Sequence, residues 1–314
     1  MISREPAPAD IYSRSRTRIA VVVALGVTLA LGAAACGSSP STATTSGSSP
    51  STATTSTPTS NGLGFTLAAP SFIKAAGVLS ICADITYPPM TFISNGHPTG
   101  FDVDMANDLA KAMGVTAEFH QTAFPDIIAA LQADKCNVII NGMDGTPARA
   151  QVISLVPYLH DSQGLVVKSG NPEHITSITD LSGKTVATQL GSSDAQYLQT
   201  LSGQFVKEGR KSITVITYTQ DPSAFDALAT GKVDAFFQDL VVLAYYDTKF
   251  PGQVTTPNIA VNPVPIVIGV RKNEGALVTV LAKGVSELYQ RGIAQRIAAS
   301  WHISSPDLLD HPAA

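Results

Sequence analysis

Two charged side chains stand where a small molecule could be held by both of its ends. Arg149 lies early in a short predicted helix that Thr146 caps and Pro147 opens, and a guanidinium can hold a carboxylate through two parallel hydrogen bonds. Asp239 follows the apolar residues 235–237 at the end of a predicted strand, where its carboxylate could balance an ammonium group. The alternatives are a surface arginine and an N-cap of the following helix.

A junction between a loop and a helix offers a second place for negative charge. Ser192 and Ser193 stand where residues 191–194 open a predicted helix. The first backbone N–H groups of a helix have no partner within it and attract anions. Plain helix capping is the alternative, and the two roles are compatible. Gln189, just before this loop, is a weaker candidate for a polar contact.

Strands and helices alternate along the body of the chain, which is typical of a parallel sheet covered by helices. In the first block, strands are predicted at residues 77–84, 91–93, 115–119 and 136–141. In the second block, they are predicted at residues 165–168, 185–187, 213–218, 233–237 and 264–270. Ligands of such sheets bind at the carboxyl ends of the strands. Two blocks that face each other would therefore enclose a cleft.

Length and composition limit the classes of protein. The chain has 314 residues, of which 44% are hydrophobic and 14% are charged. This suits two modest globular domains with uncharged tails and excludes a wholly disordered protein. The net charge is -4, and the body of the chain contains no cluster of Lys and Arg. Nucleic acid is therefore excluded as a partner.

The first residues predict an export signal. Arginines between residues 14 and 18 precede an apolar run at 19–31, which is shorter than the ~20 residues of a membrane-spanning helix. Small residues then lead to Cys36, as in a lipobox whose cysteine carries a lipid. Ala33 departs from the leucine that is usual there, and ordinary signal cleavage nearby is the alternative. Residues 37–64 are mostly Ser, Thr, Ala, Gly and Pro and predict a disordered tether.

The other cysteines, Cys82 and Cys136, leave two interpretations open. Each lies in or beside a predicted strand, so each could be an ordinary small buried residue. In an oxidising compartment they could instead form a disulfide. Their spacing matches no zinc-binding pattern.

A series of short motifs in the body, from about Phe65 to Trp301, resembles solute-binding protein family 3, the polar amino-acid receptors of ABC importers. In chain order the motifs are Gly77-Val78-Leu79, Asp84 with Tyr87-Pro88-Pro89, Gly100-Phe101-Asp102, Asn141-Gly142-Met143 with Thr146 and Arg149, Asp180-Leu181-Ser182-Gly183-Lys184, Gly191-Ser192-Ser193, Gly231-Lys232-Val233-Asp234-Ala235, and Gln238-Asp239. One of these motifs alone would be a weak sign, whereas the whole series in order is specific.

The resemblance implies an α/β fold of the type II periplasmic-binding-protein kind. Two doubly wound lobes are joined by a hinge of two crossings, and the ligand cleft lies between them. We expect the crossings near residues 159–164 and 263–267. The implied division is a signal segment at 1–36, a tether at 37–64, lobe 1 at 65–162 and 267–314, and lobe 2 at 163–266.

The resemblance also implies roles for individual residues. Arg149 would pair with the carboxylate of the ligand and Asp239 with its ammonium group, while Tyr87 and Phe124 would flank it unless they are simply core. Asp84 stands where some members use an acid for an amine or a cationic side chain. The expected ligand-binding set is Asp84, Tyr87, Phe124, Gly142, Asp144, Thr146, Arg149, Gln189, Ser192, Ser193 and Asp239.

Asp144 is a departure from the family pattern, which commonly has Ser or Thr at this position. A carboxylate beside a bound carboxylate would repel it unless Arg149 or a cation of the ligand neutralises the pair. Asp144 therefore either holds Arg149 in place or faces a ligand with extra positive charge. Together with Asp84 and Asp239, it favours a basic ligand.

These expectations predict an extracytoplasmic receptor that reversibly binds a polar amino acid, with a basic one favoured, or a similar small zwitterion. The receptor would be a monomer, held at the membrane through a lipidated Cys36, and would deliver its ligand to an ABC permease. No catalytic residue, metal or cofactor is expected. One alternative is a dehydratase-type enzyme on the same fold, with Asp144 as its acid or base. The other is a ligand-sensing receptor domain, which would need an output segment.

Overall fold

The structure, a computed structural model, describes residues 61–304. The predicted signal segment with Cys36, most of the predicted tether and residues 305–314 lie outside the described residues. The last residues of the predicted tether belong to the described part. There, the Asn61 side chain donates a hydrogen bond of 2.8 Å to the carbonyl of Phe65, and Leu63 packs against the core.

The described residues alternate between strands and helices, as the sequence pattern predicts. The strands are β1 (Val78–Ala83), β2 (Thr86–Tyr87), β3 (Thr91–Ser94), β4 (His97–Thr99), β5 (Thr116–Gln121), β6 (Val138–Ile139), β7 (Ser154–Lys168), β8 (Thr185–Gln189), β9 (Thr214–Tyr218), β10 (Ala235–Asp239), β11 (Val254–Thr255) and β12 (Ala260–Val270). The helices are α1 (Ser71–Ala76), α2 (Phe101–Ala112), α3 (Ile127–Gln132), α4 (Pro147–Val152), α5 (Ser193–Lys207), α6 (Asp221–Ala229), α7 (Leu240–Lys249), α8 (Gly275–Gln290) and α9 (Ile293–Ser300). Short 3₁₀ helices span Phe124–Asp126 and Ile178–Leu181. Within residues 61–304, none of the helices combines the length and apolar character that a membrane crossing requires.

A nine-stranded sheet runs through the described residues in the order β5-β1-β6-β12-β7-β10-β8-β9, with β11 beside β7. At one end, β1 pairs in parallel with β5 and β6. At the other end, β8 pairs in parallel with β9 and β10. The antiparallel pair of β7 and β12 joins these two parallel groups. The predicted parallel sheets are thus present, and each belongs to one block of the sequence.

The two predicted crossings lie within β7 and β12. These strands pair from Ser154 opposite Val270 to Gly164 opposite Ala260. Their register shifts between Val261 and Val264 and again between Ile266 and Val267. Such irregularities bend a strand and increase its twist. The connection between the two blocks is therefore a pair of long strands with local irregularities.

The strand β7 is longer than the sequence pattern indicates. The sequence pattern predicts a strand only at residues 165–168, because Pro157, His160 and Asp161 interrupt the apolar residues before them. In the structure β7 begins at Ser154, since β12 supplies hydrogen-bond partners along this segment. Tertiary pairing has overridden a weak local pattern.

The buried side chain of Asp102 connects helix α2 to the segment that follows β6. Its Oδ2 accepts a hydrogen bond of 2.6 Å from the backbone N–H of Gly142, and its Oδ1 accepts one of 2.6 Å from the hydroxyl of Tyr158 on β7. Burial raises the pKa of Asp102 to about 6, although these hydrogen bonds oppose the rise. A charged acceptor in the core is costly unless it is hydrogen-bonded. Asp102 therefore fixes the position of the backbone at Gly142.

Cys82 and Cys136 form a disulfide between the end of β1 and the segment before β6. Their Cα atoms are 5.6 Å apart, within the ordinary range for such a bond. Both cysteines are also buried in a small apolar cluster with residues such as Ile127 and Leu131. Of the two interpretations that the sequence left open, the structure shows the disulfide.

Candidate functional site

A small cavity of about 10 Å³, with room for roughly one water molecule, lies where the two groups of parallel strands face each other. Apart from Asp84 and Thr146, every residue that the sequence predicts for ligand binding lines it. Asp194 and Gln238 also line it and were not predicted. The lining residues are Tyr87, Phe124, Gly142, Asp144, Arg149, Gln189, Ser192, Ser193, Asp194, Gln238 and Asp239.

Asp84 lies just outside this lining. Its side chain is buried directly after β1, where Oδ2 accepts a hydrogen bond of 3.1 Å from Nε2 of Gln189. Its Oδ1 accepts a hydrogen bond of 2.7 Å from the hydroxyl of Thr86. Because Gln189 ends β8 in the other block, this contact joins the two blocks beside the cavity.

Thr146 serves as the N-cap of helix α4. Its hydroxyl oxygen accepts a hydrogen bond of 3.2 Å from the backbone N–H of Arg149, as the sequence predicts for a cap. The residue lines a neighbouring surface depression with Ser193 and Asn262. Its contribution to the cavity is therefore indirect, through the position of α4 and of Arg149.

The guanidinium of Arg149 spans the two blocks. Nη1 donates a hydrogen bond of 2.8 Å to the carbonyl of Asp144, and Nη2 donates one of 3.3 Å to the carbonyl of Gly191. Its Cζ lies 5.3 Å from the centroid of the Phe124 ring, within the range of a cation–π contact. Burial lowers the pKa of Arg149, and the facing carboxylate of Asp144 opposes that change. The result is a fixed positive group at the cavity wall.

The N-terminus of α5 forms another wall of the cavity. Ser192 is the N-cap, because its hydroxyl oxygen accepts a hydrogen bond of 3.1 Å from the backbone N–H of Ala195. The hydroxyl of Ser193 donates to Oδ2 of Asp144. Both capping and proximity to the cavity are therefore realised at this junction.

Gln163 on β7 supports this wall and was missed by sequence reasoning. Its Nε2 donates hydrogen bonds of 3.2 Å to Oδ2 of Asp144 and 3.0 Å to the hydroxyl oxygen of Ser193. Asn262 on β12 in turn donates a hydrogen bond of 2.9 Å to Oε1 of Gln163. The only sequence signal was a polar residue at a predicted crossing.

Asp239 ends β10 and precedes α7, yet its side chain does not cap that helix. Its Oδ2 instead accepts a hydrogen bond of 2.6 Å from the hydroxyl of Tyr87. The first turn of α7 finds another acceptor, since Oδ2 of Asp161 lies 3.4 Å from the backbone nitrogen of Val241. The N-cap alternative is therefore not realised, and the carboxylate of Asp239 faces the cavity.

Asp144, Asp194 and Asp239 form a buried acidic cluster in the cavity wall. One carboxylate oxygen from each lies within 4.8 Å of the others. Burial raises the pKa of all three, and for Asp239 the nearby Asp144 and Asp194 raise it further. Asp194 directly follows the predicted Ser193 in the first turn of α5, which was the one signal that could have revealed it.

Comparison with known proteins assigns the chain to a family. The family model for bacterial extracellular solute-binding proteins, family 3, matches residues 79–304. The chain belongs to this family. The predicted family is thereby confirmed, and with it an extracytoplasmic solute-binding role.

Curated relatives in the family share about a quarter of their residues with this chain. The L-cystine-binding protein TcyJ of Escherichia coli (strain K12) is 26% identical over 231 residues, which cover 73% of this chain and 84% of the relative. The ABC transporter arginine-binding protein 1 of the same organism is 27% identical over 234 residues, covering 73% and 92%.

Solved structures share the fold as well. A mutant of ArgBP from T. maritima superimposes with a TM-score of 0.67 at 28% identity, covering 74% of this chain and 98% of that one. An ancestral arginine-binding protein bound to arginine has a TM-score of 0.64 at 34% identity, covering 72% and 98%. An ancestral amino acid-binding protein described as a precursor of cyclohexadienyl dehydratase has the same TM-score at 31% identity, covering 73% and 97%. The predicted fold class, two α/β lobes of the type II periplasmic-binding-protein kind, is confirmed.

Proposed function

We propose that this family 3 protein is the receptor of an ABC importer for a polar amino acid, and that basic amino acids are its preferred ligands. The observation that carries the proposal is that Arg149 and Asp239, a guanidinium and a carboxylate, line the same cavity. An α-amino acid presents the complementary pair of charges. Its carboxylate would displace the carbonyl contacts of Arg149, and its ammonium group would take the place of the Tyr87 hydroxyl at Asp239.

The excess of acids around the cavity favours a basic side chain. Asp84, Asp144, Asp194 and Asp239 are all buried there, and Arg149 is the cation among the residues that line the described cavity. Burying several carboxylates is costly unless positive charge compensates them. A ligand with a net positive charge supplies that compensation. The arginine-binding relatives and structural neighbours support the same choice.

The cross-cleft contacts support a receptor that opens and closes. Tyr87 bonds to Asp239, Gln189 to Asp84 and Arg149 to Gly191, and each pair joins one block of the chain to the other. The irregular central part of β7 and β12 would act as the hinge, with lobe 1 at residues 65–162 and 267–314 and lobe 2 at 163–266. We further propose a monomer, anchored through a lipidated Cys36, that offers its closed form to a permease.

The dehydratase alternative has one point in its favour, which is the structural neighbour described as a precursor of such an enzyme. Asp144 would then be the acid or base, since burial raises its pKa. The relatives named above carry the names of binding proteins. A receptor returns its ligand unchanged, so chromatography of the ligand after prolonged incubation with the protein separates the two functions.

The test is a thermal-shift screen of the purified protein against the standard amino acids. A ligand at 1,000 times its dissociation constant stabilises a protein by about 4.1 kcal/mol. We expect the largest shifts with L-arginine and L-lysine. Arg149→Ala should weaken binding by about tenfold to a hundredfold, the usual loss when a hydrogen bond between charged groups is removed.

Arg210→Ala is the matched control, because Arg210 also lies over an aromatic ring, that of Phe205, at 4.2 Å, but is remote from the cavity lining. It should leave the affinity unchanged. If no amino acid shifts the melting temperature, or if both arginine variants weaken binding equally, the proposed function is wrong.

A further inference from the structure

The acidic cluster of Asp144, Asp194 and Asp239 contains carboxylate oxygens with no partner. In each of the three side chains, Oδ1 is buried and makes no hydrogen bond within the described part of the chain. The three residues are 3%, 2% and 2% exposed. Buried polar atoms in native proteins are almost always hydrogen-bonded, and an unpaired one is costly. Three such atoms in one cavity wall indicate a site for a group that donates hydrogen bonds.

The three carboxylates are close enough together to share one cationic group. A primary ammonium group has three N–H donors in a tetrahedral arrangement. With hydrogen bonds of about 2.8 Å, three acceptors around it are roughly 4.6 Å apart. One oxygen from each of the three carboxylates lies within 4.8 Å of the others. A single –NH₃⁺ group could therefore bond to all three at once.

The surroundings add the need for a positive charge. Arg149 is the cation beside the cluster, and its Nη1 and Nη2 are directed at the carbonyls of Asp144 and Gly191. The other titratable groups that face the cluster are acids or a phenol, namely Tyr87, Asp161 and Asp221. When all three carboxylates are ionised, the cluster therefore carries more negative charge than Arg149 balances.

We propose that Asp144 and Asp194 extend the ammonium site, which the family resemblance already implies for Asp239, into a cage of three carboxylates around one primary ammonium group of the ligand, and that Asp194 is its specificity-determining member. This inference rests on the proposed function and sharpens it, because it states which group of the ligand dominates recognition. Asp239 is the last residue of β10, whereas Asp144 lies in the segment that follows β6. Asp194 adds a third acceptor from the first turn of α5, so that the cage is complete only when the two blocks are together.

The experiment measures how much the ammonium group of the ligand contributes, with and without Asp194. Isothermal titration calorimetry compares L-arginine, 5-guanidinopentanoic acid, which lacks the α-ammonium, and agmatine, which lacks the carboxylate. With the wild-type protein, we expect removal of the ammonium group to weaken binding at least a hundredfold. In Asp194→Asn, removal of the ammonium group should weaken binding by a factor at least ten times smaller than in the wild type. The ratio of the dissociation constants of L-arginine and agmatine should stay the same, because these two ligands differ only in the carboxylate, which would bind to Arg149.

A second readout separates a role in recognition from a role in folding. Asp194→Asn removes one of three mutually repelling buried carboxylates, so the unliganded variant should melt at the same temperature or higher while its affinity for L-arginine falls. Asp247→Asn, at an exposed position on α7, is the control and should change neither quantity. A variant that melts lower and binds L-arginine as tightly as the wild type would overturn the proposal.

The remaining outcomes also decide the matter. If L-arginine binds but 5-guanidinopentanoic acid binds equally well, the proposed function stands and the cage is wrong. If no amino acid binds, the proposed function fails, and agmatine and cadaverine then test the cage alone. If agmatine or cadaverine binds and Asp194→Asn weakens that binding, the cage is supported. If neither amine binds, the cage is overturned. Stabilisation by CaCl₂ or MnCl₂ with no response to any amine would assign the cluster to a metal ion and overturn the cage.

Discussion

The hydroxyl of Tyr87 donates a hydrogen bond of 2.6 Å to Oδ2 of Asp239, and the two residues come from opposite sides of the cleft. Tyr87 belongs to β2 beside the first parallel group, whereas Asp239 ends β10 in the second. Burial raises the pKa of Tyr87 well above its ordinary value, and the adjacent Asp239 raises it further. The phenol therefore stays protonated and remains a donor. Under the proposed function, the phenol occupies the acceptor that the ammonium group of the ligand would need.

Tyr87→Phe should make the unliganded protein more open. The substitution leaves the ring in place but removes a hydroxyl that contacts both Asp239 and, at 3.2 Å, Oε1 of Gln238 across the cleft. A hydrogen bond to a charged acceptor is worth about 1.5–3 kcal/mol. Small-angle X-ray scattering without ligand should give a larger radius of gyration for the variant. Tyr197→Phe is the control, because Tyr197 stacks on Phe237 away from the cavity lining. Equal radii for the wild type and Tyr87→Phe would contradict the prediction.

Reduction of the disulfide should destabilise the protein substantially. Cys82 and Cys136 are 54 residues apart in the sequence, and closing a loop of that length lowers the entropy of the unfolded chain by an amount equivalent to roughly 4 kcal/mol. Urea unfolding with and without reductant measures the difference. The double variant Cys82→Ala/Cys136→Ala should match the reduced wild type and should not respond to reductant. An unchanged midpoint after complete reduction would contradict this expectation.

The stability of the unliganded protein should fall as the pH rises from about 5 to about 7. Burial raises the pKa of Asp221 from 3.8 to about 7, despite hydrogen bonds from Gln238 and Tyr246. In this pH range the folded state binds a proton that the unfolded state has lost. The free energy of unfolding therefore decreases with pH, by roughly 2 kcal/mol over this range for this group.

Asp221→Asn should flatten that dependence, because the amide does not titrate. Melting temperatures at pH 5 and pH 7.5 provide the comparison, and Asp226→Asn, an exposed position on the same helix, is the control. The wild type and the control should lose more stability over this interval than Asp221→Asn. A variant with the same pH dependence as the wild type would show that Asp221 is not the titrating group.

Much of the site could be predicted from local sequence. Arg149 follows a Thr–Pro helix start, Asp239 ends an apolar strand, and Ser192 and Ser193 open a helix. Each of these positions depends on hydrogen bonding and chain geometry within a few residues, which the local sequence specifies. The alternation of strands and helices similarly predicted two parallel groups. This alternation did not predict the first part of β7, where a polar stretch forms a strand only because β12 lies beside it.

The tertiary structure alone decided which of these groups meet. Asp194 lies in a helical turn where the sequence does not show whether its side chain faces solvent or the cavity, and in the structure it is buried close to Asp144 of the other block. Gln163 reaches Asp144 only because β7 crosses between the blocks. The charge of each residue is a local property of the sequence. The loss of water around a carboxylate, on which the proposed preference for a cationic ligand rests, depends on how two distant segments close over it.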